Sequence, residues 1–218
     1  MKGIIYVGGA KGGVGKSLVS MLVLDLLREQ EPFLIETDQA NPDVLKAYGG
    51  GVESITGDMD SATGWSEVLT EMHTRLDSGR PVVINSAARN TAGVEQYGEL
   101  FGALGVDMLL LWAINAQKDG LILLDGFMKV VQPARSFVVK NGYFGSLDDF
   151  KLFDESKIKK RVSGDAYVPA LMSNIANIVY TQRKPLHEVA ESLTFGDKLF
   201  FESWRKKAHA ALQPILEG

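Results

Sequence analysis

The chain has 218 residues, 45% hydrophobic and 23% charged, with a formal net charge of −4, a composition ordinary for a soluble globular protein and long enough for one domain over 1–218 with a large core. It has no cysteine, which excludes disulfides and Cys-ligated metal or iron–sulfur sites. The negative balance argues against a surface that is a nucleic-acid footprint throughout. In chain order, apolar runs fall at 4–7 (IIYV), 32–36 (PFLIE), 81–85 (PVVIN), 108–114 (MLLLWAI), 136–141 (SFVVKN) and, more weakly, 166–171 (AYVPAL). They are apolar on successive residues, as strands buried on both faces are. Helix-like periodicity fills 17–29, 64–76, 93–104, 119–131 and 197–216. This alternation predicts an α/β fold, a doubly wound, mostly parallel sheet with helices on both faces. Residues 48–63, rich in Gly, Asp and Ser, read as a mobile surface loop. The chain opens on a strand and contains no apolar run near the roughly 20 residues that span a bilayer, which predicts cytoplasmic residence.

Between the first strand and the first helix lies KGGVGKS at 11–17. Strand, glycine-rich loop and helix is the context of a phosphate-binding loop. Gly12, Gly13 and Gly15 let the backbone aim its N–H groups at phosphate oxygens, and the helix dipole adds positive potential there. Val14 and Leu18 complete the contacts, Lys16 supplies a compact charge for the terminal phosphates, and the Ser17 hydroxyl suits Mg²⁺. Strand ends are where ligands sit in such sheets, so Asp38, after the second strand, is a candidate site residue. Asp38 and Asn41 also suit a turn or helix cap.

Ala10 stands where the plain pattern wants glycine, and Lys11 is a second lysine. With these features the loop resembles the deviant Walker A signature K-G-G-x-G-K-[ST] of the ParA/MinD family, P-loop NTPases of the SIMIBI type. The resemblance implies ATP with Mg²⁺ as cofactors, a homodimer formed on ATP binding, and slow hydrolysis stimulated by an activating partner protein. It implies that Lys11 reaches the partner subunit's nucleotide, that Lys11, Lys16 and Asp38 are catalytic, and that Asp38 orients the attacking water and holds Mg²⁺-bound waters. It makes Glu36 the first acid of a switch of the form D-x-D, and places Arg89 and Asn90 in a second switch, where they could contact a partner subunit. It puts Asn141 against the adenine edge. Pro169 and Ala170 then either line the base or form an ordinary strand–turn–helix corner. One departure stands out: Asn85 occupies the place of the Walker B aspartate, where an amide accepts a hydrogen bond from a metal-bound water but adds no charge. IETDQANPDV, the Asn-ended third strand and VVKNGYFG resemble the StbB- and TraL-like proteins of plasmids and mobile elements.

The resemblance implies an ATP-dependent dimerisation switch in DNA or plasmid partitioning or in conjugative transfer. Lys157, Lys159, Lys160, Arg161, Arg205, Lys206 and Lys207 are its candidate DNA contacts, or simply a solvated surface. Two other classes stay open: a small-molecule ligase or kinase on the same scaffold, similar to dethiobiotin synthetase, and a nucleotide-binding scaffold that hardly hydrolyses. The last helix is expected to present Phe200, Trp204, Ala208, Ala211, Leu212 and Ile215 on one packed face rather than to bind membrane, with Pro214 interrupting its last turn. His73, His187 and His209 lack metal-ligand spacing.

Overall fold

The computed structural model describes residues 3–10, 12–88 and 91–218. Among them, seven parallel strands form one sheet: β1 (Ile4–Gly9), β2 (Phe33–Glu36), β3 (Ser54–Thr56), β4 (Val82–Asn85), β5 (Met108–Ile114), β6 (Arg135–Asn141) and β7 (Gly164–Val168). Their order is β3-β2-β4-β1-β5-β6-β7, so β1 pairs with β4 on one side and β5 on the other. Successive connections step in one direction or the other along this order, β1 to β2 and β2 to β3 one way and β3 to β4, β4 to β5 and β5 to β6 the other, and the helices they carry sort accordingly. Helices α1 (Lys16–Leu26) and α2 (Asp43–Tyr48) lie on one face; α3 (Ala62–Asp77), α4 (Thr91–Tyr97) and α5 (Asp119–Val131) lie on the other. A single crossover hand produces this sorting. The short α6 (Lys151–Asp154) joins the second face. After β7 the chain returns to the first face as α7 (Ser173–Gln182), α8 (Leu186–Val189) and α9 (Phe195–Glu217).

The strands read as buried on both faces because they are. In β1, Ile5 and Val7 enter the core under α1 while Ile4 and Tyr6 enter the core under α5, all at most 2% exposed. The period of two along a strand delivers alternate side chains to two separate cores. Apolar residues at every position are therefore what this sheet requires.

Several expectations need correction. Residues 48–63 are not simply a loop, since they contain β3, three residues at the sheet edge of which none is buried; so short a run carries no period to read. The sixth run begins earlier than expected and stops at Val168, because Pro169 has no N–H to give a ladder. The first helix ends at Leu26, followed by a 3₁₀ turn at Arg28–Gln30. In α9 the inward aromatic is Phe201, fully buried, and not Phe200, which is 62% exposed. The buried stripe is Phe201, Trp204, Ala208, Leu212, Ile215 and Leu216, spaced three or four residues apart except for its last step. Pro214 does not interrupt the helix, which runs on to Glu217. Proline costs a helix one N–H and a clash one turn back; here apolar contacts of the last turn and a hydrogen bond from Arg135 Nη1 to the Ile215 carbonyl, at 3.1 Å, hold the turn.

Candidate nucleotide site

The loop after β1 takes a shape only glycine permits at two places. Gly13 has φ 79° and Gly15 φ 102°, both in the left-handed region where a Cβ is strained. Gly15 is the residue from which α1 departs, so the N-terminus of this 11-residue helix opens directly on the loop. A Cβ on Gly15 would also stand 2.4 Å from Asn141 Nδ2. That close approach has a purpose: Asn141, at the end of β6, donates from Nδ2 to the Val14 carbonyl at 3.0 Å, and its Oδ1 accepts from the Tyr143 N–H at 3.0 Å. Asn141 thus ties the loop to the sheet, a role its expected contact with a base did not anticipate.

A cleft of about 470 Å³ lies over this loop. Gly12, Gly13, Gly15, Lys16, Ser17 and Leu18 form one wall, Asp38, Asn41 and Asp43 another, and Asn141, Tyr143, Leu171, Ala176, Asn177 and Tyr180 the rest. The second and third groups come from segments more than 20 and 120 residues away, brought together because each follows a strand at the same edge of the sheet. Lys16 is buried. Burial pulls its ammonium below the usual range, while Asp38 and Glu36 act in the opposite direction. Asp38 lines the cleft and caps its own turn, its Oδ1 accepting the Asn41 N–H at 3.0 Å. Val14 is buried under the loop. Pro169 does not line the cleft; its carbonyl accepts a hydrogen bond from Trp204 Nε1 at 2.8 Å, and Leu171, two residues on, is the lining residue. Lys11, Arg89 and Asn90 lie outside the described residues.

Below the cleft is a buried polar group of residues. Glu36 is 0% exposed and Asn85 1%, and the two stand opposite one another in the β2–β4 register. Asn85 Nδ2 donates to Glu36 Oε1 at 2.8 Å, and Asn85 Oδ1 accepts from the Ser20 hydroxyl at 2.8 Å. Glu36 also accepts the Asp38 N–H at 3.0 Å and the Leu45 N–H at 3.4 Å. Burial pushes the Glu36 carboxyl up to about 7, against these hydrogen bonds. Asn85 therefore has both ends of its amide engaged inside the protein.

The residues fit a magnesium nucleotide. Positive potential from the α1 terminus and Lys16 faces a cleft with room for a bulky anion. Among the described residues no three His, Cys, Asp or Glu side chains gather to hold a metal. Mg²⁺ held by one hydroxyl and phosphate oxygens needs no such cage.

The basic residues divide. Lys159 pairs with Asp165, and Arg161 with Asp125. Arg205 Nε meets the buried Asp25 at 2.7 Å, and His209 and His187 approach the same carboxylate at 2.9 and 3.3 Å. Both histidines, spaced like no metal site, thus contact the buried carboxylate that Arg205 pairs with, in a hub joining α1, α8 and α9. Lys157, Lys160, Lys206 and Lys207 stay exposed. The 157–161 segment packs through Ile158 on the α5 face and α9 packs on the α1 face, so the seven basic residues do not form one patch.

This is the fold of the ParA/MinD P-loop ATPases. MinD from Pyrococcus horikoshii OT3, a septum site-determining protein solved with Mg-ADP, superposes with a TM-score of 0.53 at 13% identity, covering 94% of this chain and 95% of that one. A plasmid partition protein from Borrelia burgdorferi gives 0.52 at 16% identity, covering 94% and 100%. No protein-family model matches the chain. Protein MobD from Acidithiobacillus ferrooxidans is 36% identical over 225 residues, covering 99% of this chain and 98% of MobD. The chain belongs to the MobD family. Among the described residues no helix is long and apolar enough to cross a membrane.

Proposed function

We propose that the chain is an ATP-dependent dimerisation switch of a mobile genetic element, acting in plasmid partitioning or conjugative transfer and hydrolysing ATP slowly. The observation that carries this reading is the cleft in which the left-handed glycine loop, the buried Lys16 and Asp38 converge. The loop N–H groups and Lys16 would hold the phosphates, Ser17 would hold Mg²⁺, which would neutralise phosphate charge, and Asp38 would orient the attacking water. The bound nucleotide supplies the phosphoryl group that water attacks. Lys11 of each subunit contributes positive charge across the dimer, the role its resemblance implies. The closed dimer then has a different affinity for DNA or a partner protein from the monomer. MobD supports the mobile-element setting, and the partition protein and MinD support a positioning ATPase.

The deciding experiment is the solution mass of wild type and Lys11→Ala with ATP, with ADP and without nucleotide. Wild type should dimerise with ATP alone and Lys11→Ala should not, while both bind nucleotide. Masses indifferent to nucleotide in both proteins would overturn the switch. One observation favours a second reading, a metabolite-directed enzyme: a cavity of about 340 Å³ beside Gly9 and Ala10, walled by Tyr6, Ser86, Trp112 and Phe127. For that reading Lys11→Ala should keep full turnover.

A further inference from the structure

We propose that Glu36 and Asn85 work as a matched pair, in which the Asn85 amide holds the Glu36 carboxylate so that Glu36 sets the position of the Asp38 loop. Glu36 is then a positioning residue for the hydrolysis proposed above, and the inference rests on that reading. Asn85 acts on this carboxylate and not on the metal.

Three observations carry it. First, among the described residues the Glu36 carboxylate accepts hydrogen bonds from three donors: the Asn85 amide, the Asp38 N–H and the Leu45 N–H. An ionised carboxylate is an acceptor only, and suits such a site. Second, the Ser20 hydroxyl donates to Asn85 Oδ1, and the NH₂ at the other side of the amide faces Glu36. The result is a chain of hydrogen bonds from α1, three residues past Ser17, through Ser20, Asn85 and Glu36 to the backbone of Asp38. Third, a carboxylate in place of the Asn85 amide would set an oxygen about 2.8 Å from Glu36 Oε1, where two carboxyl groups stand together only by sharing a proton, so no second charge is gained. The amide at the end of β4 is therefore the partner a buried acid at the end of β2 requires. One negative charge serves both strand ends, and this chain carries it on β2.

The pairing predicts a split between stability and turnover. Glu36→Gln keeps the shape but loses the charge. Adding Asn85→Asp returns the charge on the other strand: the amide now on β2 donates to the carboxylate now on β4. Oε1 is the atom that accepts both the Asn85 amide and the Asp38 N–H, so the NH₂ that replaces it leaves the Asp38 N–H without an acceptor. ATP turnover is compared in wild type, Glu36→Gln, Asn85→Asp and the double variant, with melting temperature measured on each. Glu36→Gln should lower kcat about tenfold or more with KM little changed, as expected for a group acting on the transition state. The double variant should be more stable than Asn85→Asp yet no faster than Glu36→Gln, because the Asp38 N–H has lost its acceptor; a merely structural Glu36 would give back kcat along with stability. Wild-type kcat in Glu36→Gln, or a folded double variant with wild-type kcat, would overturn the proposal. If Glu36→Gln fails to fold, Ser20→Ala breaks the chain from the α1 end, and an unchanged kcat there would overturn it equally. Wild-type turnover no higher than that of Lys16→Ala would instead sink the ATPase reading. The pairing is then judged from melting temperatures, where a double variant no more stable than Asn85→Asp removes it.

Discussion

At Gly15 two constraints meet. The residue has φ 102° and a Cβ there would lie 2.4 Å from Asn141 Nδ2. The left-handed backbone alone costs a residue with a Cβ about 1–2 kcal/mol, and the overlap must be relieved by moving Asn141, which anchors the loop. Gly15→Ala should therefore lower nucleotide affinity more than about tenfold, as read by calorimetric titration; unchanged affinity would mean that the loop tolerates another shape. Asn141→Ala leaves the Val14 carbonyl without its donor, worth about 1 kcal/mol. A loss of about 2–4 °C in Tm is expected for a chain of this size, together with weaker nucleotide binding. The glycines and Lys16 are legible from the motif, because their chemistry depends on neighbours in sequence. Asn141 is legible as a site residue through its strand-end position, but not its clamp on Val14, a contact across 127 positions.

Among the elements, α9 is joined to α1 by more than apolar packing. Asp25, in α1, is buried against Arg205 and His209 of α9 and His187 of α8. Burial pushes the Asp25 carboxyl up, but hydrogen bonds from His209 and Arg205 outweigh it and hold the group below the usual carboxylate range. Asp25→Asn leaves Arg205 without its buried partner and should cost about 3–5 kcal/mol, seen as a lower midpoint in denaturant. The sign of the pH dependence follows from a depressed pKa. Asp25 contributes its stability above the unfolded value of about 4, and that contribution is lost as pH falls through the lower folded value. The difference between wild type and Asp25→Asn should accordingly be full at neutral pH and shrink in acid below pH about 4. A difference that stays constant down to low pH would contradict this account. In the sequence Arg205 reads as a candidate DNA contact because a run of three cations looks solvated; nothing near it reveals Asp25, 180 positions away.

For the whole molecule, the sheet separates what the sequence places together by composition. Lys157 and Lys160 stand on the α5 face, Lys206 and Lys207 on the α1 face. A dimer that holds DNA on one surface can use one pair only. Neutralising the two pairs separately should leave one variant with wild-type DNA affinity. The other should bind more weakly, with a salt slope reduced by about 0.9 for each phosphate it no longer neutralises. Fluorescence anisotropy across a salt series reads both; equal weakening from the two pairs would show that DNA wraps the molecule.

The sequence by itself determined the alternation of elements, the parallel sheet and the loop at 11–17, since each is written in the order of residues over short spans: runs without alternation for strands buried twice, a period near 3.6 for helices, glycines before a helix for an anion. Only the tertiary structure decided the order of the strands, and with it which strand ends share a cleft. It placed Glu36 opposite Asn85, turned Phe201 rather than Phe200 inward, and drew Arg205 onto Asp25. These outcomes depend on contacts between distant segments, where a buried polar group must find a partner and an apolar face must find another.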